Sequence, residues 1–274
     1  MKRLVSLVLI SLSGLLACSK PQQETSPPES AQATAPEPAA APAADAAAID
    51  AAIANPNRLA GDKEQDSWRK PAVVLNYLEL RPGMSVLDYM SAGGYYTELI
   101  SNVVGPQGRV IAYNNAEYLK FAEDQPAKRY GDNRLANVAQ LTTTVEDAPL
   151  DPASLDAALF VQSYHDLYWK SKDGSWPATD PARALAKVVP ALKPGAVVVV
   201  VDHVAAAGGD PAVTVDATHR IDPAVIKRDF EAAGLVFDGE STQFQNPADD
   251  HTKPVFDDSI RHKTDQVIYK FRKK

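Results

Sequence analysis

Apolar positions along this chain fall into two alternating rhythms. Val74, Tyr77 and Leu78 keep the i, i+3, i+4 spacing of an amphipathic helix, and Arg81, Pro82 and Gly83 end it before a strand over MSVLD, 84–88. Tyr96, Leu99, Ile100 and Val103 repeat the spacing and extend it, and Gly105 followed by Pro106 is a helix stop. This is a strand, a glycine turn and a helix. Further strands are predicted in GRVIAY from Gly108, NVAQLT from Asn137 and LDAALFVQ from Leu155. AVVVVVD from Ala196 is an unbroken β-branched run, the mark of a strand covered on both faces in a parallel sheet. Ahead of it Leu185, Val188, Val189 and Leu192 form a helical stripe opened by Asp180 and Pro181, with Pro190 expected to kink the last turn. Another helix starts at Asp222 and Pro223, presents Ile226 and Phe230 and stops at Gly234 before closing strands in LVFDGE and DQVIYKF. Alternation in this order implies an α/β, doubly wound sheet whose ligands bind beyond the carboxyl ends of the strands.

Composition separates the N-terminal part from that pattern. From Ser19 to about Ala54 the chain is Pro, Ala, Gln, Glu, Ser and Thr with almost no large apolar side chain, so it is expected to be a disordered linker, although AADAAAIDAAIA has the makings of a short helix. Residues 55–274 then form one domain. At the start, Lys2 and Arg3 precede an apolar run from Leu4 to Leu16, too short to span a bilayer comfortably. Leu15, Leu16, Ala17 and Cys18 resemble the lipobox of bacterial lipoproteins, which implies a signal peptide over 1–17, removed on the N-terminal side of Cys18, and a lipid on its thiol. Ser19 after the cysteine resembles lipoproteins sorted to the outer membrane. The expected location is therefore lipid-anchored in the cell envelope, facing the periplasm; an ordinary signal peptide is the alternative. Cys18 is the single cysteine, which excludes internal disulfides and cysteine-rich zinc sites. A net charge of −7 argues against nucleic acid as a partner.

The segments LRPGMSVLDYMSAGGYYTELI and LKPGAVVVVVDHV, in this order, make the domain similar to class I S-adenosylmethionine-dependent methyltransferases. SYHDLYW, THRID, QNPADD and KTDQVIYKFRK make it more similar still to a family of exported methyltransferases. The resemblance runs from about Arg69 to Lys274. It implies a mostly parallel seven-stranded sheet with an antiparallel C-terminal strand, S-adenosyl-L-methionine as cofactor, and a small-molecule or envelope acceptor. In the family pattern three glycines follow the aspartate of the first strand, where this chain reads Asp88, Tyr89, Met90, Ser91, Ala92, Gly93, Gly94. Met90 and Ala92 replace two of them. The resemblance assigns cofactor contacts to Asp88, Ser91, Gly93, Gly94 and the helix start at Tyr95. The acidic ribose contact at the end of the second strand falls on Asn114, whose amide accepts a hydrogen bond without a charge. Glu146 and Asp147 match an acidic contact to adenine, or are simply solvated.

Strand four leads into Ser163, Tyr164, His165 and Asp166, the edge where methyltransferases position the acceptor. Ser163 is a cofactor-side candidate; Tyr164, His165 and Asp166 are the catalytic candidates. A near-neutral imidazole oriented by a carboxylate suits proton removal, while a histidine hydrogen-bonded into its loop is the structural reading. His203 and His219 bring further imidazoles to the same edge, and they alone support a metal-binding reading, without a short ligand spacing behind it. Tyr95, Tyr96, Tyr164, Tyr168 and Trp169 are candidates for an acceptor pocket. A noncatalytic binding lipoprotein that keeps the fold is the remaining alternative.

Overall fold

The computed structural model describes residues 43–274 other than 175, 177 and 178. Cys18, the signal peptide and most of the linker lie outside the described residues. Seven strands form one sheet: β1 (Ser85–Tyr89), β2 (Arg109–Asn114), β3 (Val138–Thr142), β4 (Leu155–Val161), β5 (Leu192–His203), β6 (Leu235–Ser241) and β7 (Gln266–Lys273). Their order is β3-β2-β1-β4-β5-β7-β6. The first five run parallel, and β7 inserts antiparallel between β5 and β6. The sheet is thus doubly wound and mostly parallel with an antiparallel last strand, as the sequence implied.

The helices are α1 (Ala46–Ala54), α2 (Asp62–Arg69), α3 (Pro71–Tyr77), α4 (Tyr95–Val104), α5 (Ala116–Lys120), α6 (Gln125–Tyr130), α7 (Pro181–Ala191), α8 (Pro211–Thr218) and α9 (Pro223–Ala232). Alternate residues of each buried strand face opposite layers. Val197, Val199 and Val201 of β5 join Leu75, Leu99 and Ile100 on one side. Val198 and Val200 join Leu185, Val188, Ile226 and Phe230 on the other. Asp180 and Asp222 cap α7 and α9 through their carboxylates, each ahead of a proline in the first turn.

The domain starts earlier than expected. Asp45 caps α1, its own backbone N–H donates to the Leu80 carbonyl at 3.0 Å, and Ile49 and Ala52 are buried in the core beside α3 and α4. An alanine-rich run reads as linker by composition, yet one isoleucine and one alanine at i, i+3 suffice to bury a short helix against a layer already there.

β1 and β4 are neighbours although β2 and β3 lie between them in sequence. The chain therefore reverses its winding direction between these two strands. Loops from both halves rise together above their carboxyl ends, which is where a doubly wound sheet opens a crevice.

Candidate functional site

Asp88, at the end of β1, is buried and accepts a hydrogen bond from the Thr97 hydroxyl at 2.6 Å. Burial pushes its carboxyl up to about 6, against the restraining hydrogen bonds from Thr97 and the charge of Arg69. The turn that follows has Met90 at φ 51°, Ala92 at φ 48° and Gly94 at φ 80°. All three are in the left-handed region. The backbone form favoured by glycine is thus retained at the two replaced positions, at a cost of roughly 1 kcal/mol for each non-glycine residue. Asn114 compensates: its Oδ1 accepts from Ala92 N–H at 2.8 Å and its Nδ2 donates to Ser91 Oγ at 3.1 Å. Its amide braces the turn instead of facing a ribose.

Gly93 and Gly94 are needed for close approach by the protein itself. A Cβ on Gly93 would lie 2.3 Å from Gln125 Oε1, and one on Gly94 would lie 2.1 Å from the Tyr130 hydroxyl. Both neighbours belong to α6. The same helix supplies Arg129, fully buried, whose guanidinium donates to the Gly93 carbonyl and to Glu98 and pairs with Asp62 at 2.7 Å. Beside the turn a polar cavity of about 220 Å³ is lined by Asp88, the 90–96 backbone, Gln65, Arg69, Gln125, Gln162 and Tyr118. Arg69 stacks over the Tyr95 ring, 4.8 Å from its centroid. No carboxylate among the described residues forms an ion pair with it. Tyr95 donates its hydroxyl to Asp66 at 2.5 Å and Tyr96 donates to the Arg69 carbonyl at 2.6 Å, so both serve as fixed walls here.

A second cavity of about 500 Å³ adjoins the first, sharing Ala92, Tyr118, Phe121 and Gln162. His165, Asp166, Trp169, Trp176, His203, His219, Val255 and Phe256 complete its walls. His165 sits between two carboxylates: its Nδ1 is 2.7 Å from Asp202 Oδ1 and its Nε2 is 3.4 Å from Asp166 Oδ1. Its backbone N–H also donates to Asp202, at 3.0 Å. Burial pulls the imidazole down, but Asp166 and Asp202 outweigh it and hold the pKa at about 9. His165 is therefore a cation at neutral pH. The flanking carboxylates thus favour the protonated imidazole, which works against His165 as a proton acceptor and leaves that role to a neighbouring group. Asp166 is the available carboxylate: burial raises it to about 6, with His165 opposing and Asp202 adding to the rise. His203 and His219 are driven down to about 3 and about 4, chiefly by burial, and are neutral.

These shifts set the alkaline stability. A histidine raised from 6.5 to about 9 contributes stability in full below 6.5, and loses it as pH climbs through about 9. At about 1.4 kcal/mol per pH unit the loss is roughly 3 to 4 kcal/mol at most. Below 6.5 the lowered His203 and His219, and further down the lowered carboxylates Asp66, Glu79, Asp202 and Asp249, favour the fold as pH rises, and the raised Asp88 and Asp166 oppose them in part. Thermal melts between pH 6.5 and 9 should fall steadily for the wild type and flatten in His165→Gln; a wild-type Tm that rises over that range would contradict the buried imidazolium.

Several expected residues are placed elsewhere. Tyr164 points into the core beside Phe160 and Phe230 and donates to Asp229 at 2.9 Å, because its position in β4's outgoing turn faces the α9 layer. Tyr168 also donates to Asp229. Ser163 is buried and donates to the Tyr89 carbonyl at 3.3 Å, tying the β4 turn to β1. Glu146 and Asp147 are exposed and line neither cavity; Asp147 accepts from Thr144 at 2.8 Å. The three histidines do converge, with His165 5.6 Å from His219 and 6.1 Å from His203 between ring centroids. Among the described residues no set of three donors is disposed to hold a metal ion.

The sequence did not single out Arg69, Gln125, Tyr118, Phe121, Trp176, Asp202 or Phe256 as site residues. Asp202 had one legible signal, an acid at the end of a buried valine run. The others come from separate helices and loops whose convergence depends on topology.

The protein-L-isoaspartate (D-aspartate) O-methyltransferase family model matches residues 54–147, the part that carries β1 to β3 and the glycine turn. No curated protein matches the sequence at a significant level. A S-adenosylmethionine-dependent methyltransferase from Aquifex aeolicus is similar in structure, with TM-score 0.52 and 18% identity over 83% of this chain and 98% of that one. A Bacillus halodurans structure described as a methyltransferase reaches TM-score 0.50 at 15% identity, over 74% and 97%. The cyclase SpnF reaches TM-score 0.52 at 18% identity, over 80% and 85%. The chain has the class I methyltransferase fold. SpnF, named for a cyclisation, illustrates that this fold alone does not choose the reaction.

Proposed function

We propose that the protein is an S-adenosyl-L-methionine-dependent methyltransferase acting on a small-molecule or envelope acceptor. The observation that carries this reading is the turn after β1: Met90 and Ala92 hold the left-handed backbone that glycines would give, beside a buried Asp88. That strain has a use if the turn's shape serves a ligand. When bound, the cofactor supplies a methyl group on a positively charged sulfur. Arg69 suits the carboxylate of its amino-acid end, and Asp88 with the amides opening α4 suits the rest of that end. Asn114 is engaged in bracing the turn, and Glu146 and Asp147 line neither cavity, so this reading assigns them no cofactor contact.

Asp166 is the proton acceptor of this account. It lines the larger cavity, it is ionised at neutral pH, and the His165 cation beside it steadies its charge. Asp202 positions His165 through both its ring and its backbone N–H. Trp169, Trp176 and Tyr118 wall the same space with aromatic rings. The test is transfer of labelled methyl from S-adenosyl-L-methionine to a small-molecule extract or to isolated envelope. Label that stays with the cofactor in both would remove the proposal.

A noncatalytic binding role is favoured by one observation: α6 already presses Gln125, Arg129 and Tyr130 against the glycine turn and leaves only about 220 Å³ beside it. We further propose that Cys18 carries lipid and holds the domain at the periplasmic side of the envelope, on the lipobox resemblance of LLAC. Palmitate labelling should mark the wild type and not Cys18→Ala, and equal labelling of both would end that proposal. Among the described residues no helix is long and apolar enough to cross a membrane.

A further inference from the structure

The larger cavity has walls of an unusual kind. Trp176 is at its centre, with ring centroids of Trp169, Tyr118 and Phe121 at 5.3, 6.0 and 6.2 Å. Trp169 continues to His219 at 5.9 Å, and His219 to Phe256 at 4.9 Å. The six rings make one connected wall. Phe121 and Phe256 stand at its rim, 71% and 60% exposed, which leaves two large apolar rings in water.

The charge inside that wall is net negative. No lysine or arginine lines the cavity. The His165 cation is matched by Asp202, with which it shares its 2.7 Å contact, so the Asp166 carboxylate remains as the unbalanced charge. The π-faces of aromatic rings are themselves electronegative and attract cations within about 6 Å. Rings and carboxylate therefore favour the same sign of ligand.

We propose that this ring-walled cavity binds a small ammonium compound, with its positive nitrogen held among the aromatic faces and beside Asp166. The inference rests on the methyltransferase reading only in naming that compound as the acceptor or its methylated product; the binding itself does not depend on it. An anion would meet Asp166 and the electronegative ring faces, while the one cation in the wall, His165, is already held by Asp202 and Asp166. A neutral apolar molecule would fill the volume but leave the charge of Asp166 without a counter-ion beyond His165. The volume of about 500 Å³ is ample for an amine carrying several further carbon atoms.

Choline tests this against its neutral isostere 3,3-dimethylbutan-1-ol and the anion 3,3-dimethylbutanoate, each titrated calorimetrically into the full-length protein. Choline should bind at least about tenfold more tightly than the alcohol, and the anion should give no heat. Phe121→Ala combined with Phe256→Ala removes two exposed rings without emptying the core, and should weaken choline by about tenfold while leaving the melting temperature within a few degrees. Asp166→Asn should reduce the preference of choline over the alcohol. The inference is overturned if the alcohol binds as well as choline, if the anion binds, if choline gives no heat, or if the double phenylalanine variant binds choline unchanged. S-adenosyl-L-methionine titrated into the same samples separates the two readings. Cofactor binding without a choline preference defeats the ammonium site alone. A choline preference without cofactor binding supports the site and removes methyl transfer.

Discussion

Arg129→Met should lower the stability of the domain by about 3 to 5 kcal/mol, the range measured when one partner of a buried ion pair is removed. Arg129 has no exposed side-chain surface, and neither of its carboxylate partners, Asp62 and Glu98, has more than a trace. Glu98 keeps Arg134 as a second partner; Asp62 would be left facing an apolar thioether. The Gly93 carbonyl would lose its donor as well, so the turn after β1 should loosen. Chemical denaturation measures the loss. The triple variant Arg129→Met, Asp62→Asn, Glu98→Gln should recover part of it, because the uncompensated charges are gone. A single variant within 1 kcal/mol of wild type would mean that α6 is not held to the turn in this way.

Asp166→Asn should reduce methyl transfer by about 10²- to 10⁴-fold, the usual worth of a positioned proton acceptor. The amide is close in shape to the acid, so the cavity wall is kept and the loss reports chemistry. It should fall on kcat more than on KM for the cofactor, because Asp166 lines the larger cavity and not the one beside the glycine turn. Activity of the wild type should also rise with pH through about 6 as Asp166 ionises. A variant within twofold of wild type, with an unchanged pH profile, would show that the acceptor needs no carboxylate here.

Much of the fold was legible because buried strands advertise themselves. The valine run of β5, the stops at Gly105 and Gly234 and the Asp-Pro starts of α7 and α9 all correspond to elements at those places. Segments that bury charge instead of apolar surface were not legible. α6 contributes a fully buried arginine, and α2 one buried aspartate, so neither shows a hydrophobic stripe. The short helix foreshadowed in AADAAAIDAAIA is α1, but its alanines hid its packing into the core. At the site the strand ends were readable, and His165 and Asp166 line the cavity beyond the end of β4. Their protonation was not readable, because it depends on Asp202, which lies 37 positions from His165 in sequence and reaches it only through the β4–β5 pairing. Met90 and Ala92 looked like losses of the glycine pattern; their backbone angles show that the turn persists without it. Asn114 looked like a weakened ribose contact and is a brace for that turn.

Calorimetric titration of the purified protein with S-adenosyl-L-methionine is the most direct test of the whole account. Two glycine positions are substituted and the acidic ribose contact is absent. A charged hydrogen bond contributes on the order of 1.5 to 3 kcal/mol, so affinity should be weakened to roughly the micromolar range without being lost. Gly94→Val should abolish it, since the residue sits at φ 80° with the Tyr130 hydroxyl only 2.1 Å from the position of a Cβ. Micromolar binding by the wild type, with Asp88→Asn weaker and still folded, is the result expected; no heat and no thermal shift with the wild type at millimolar cofactor would contradict the methyltransferase reading outright.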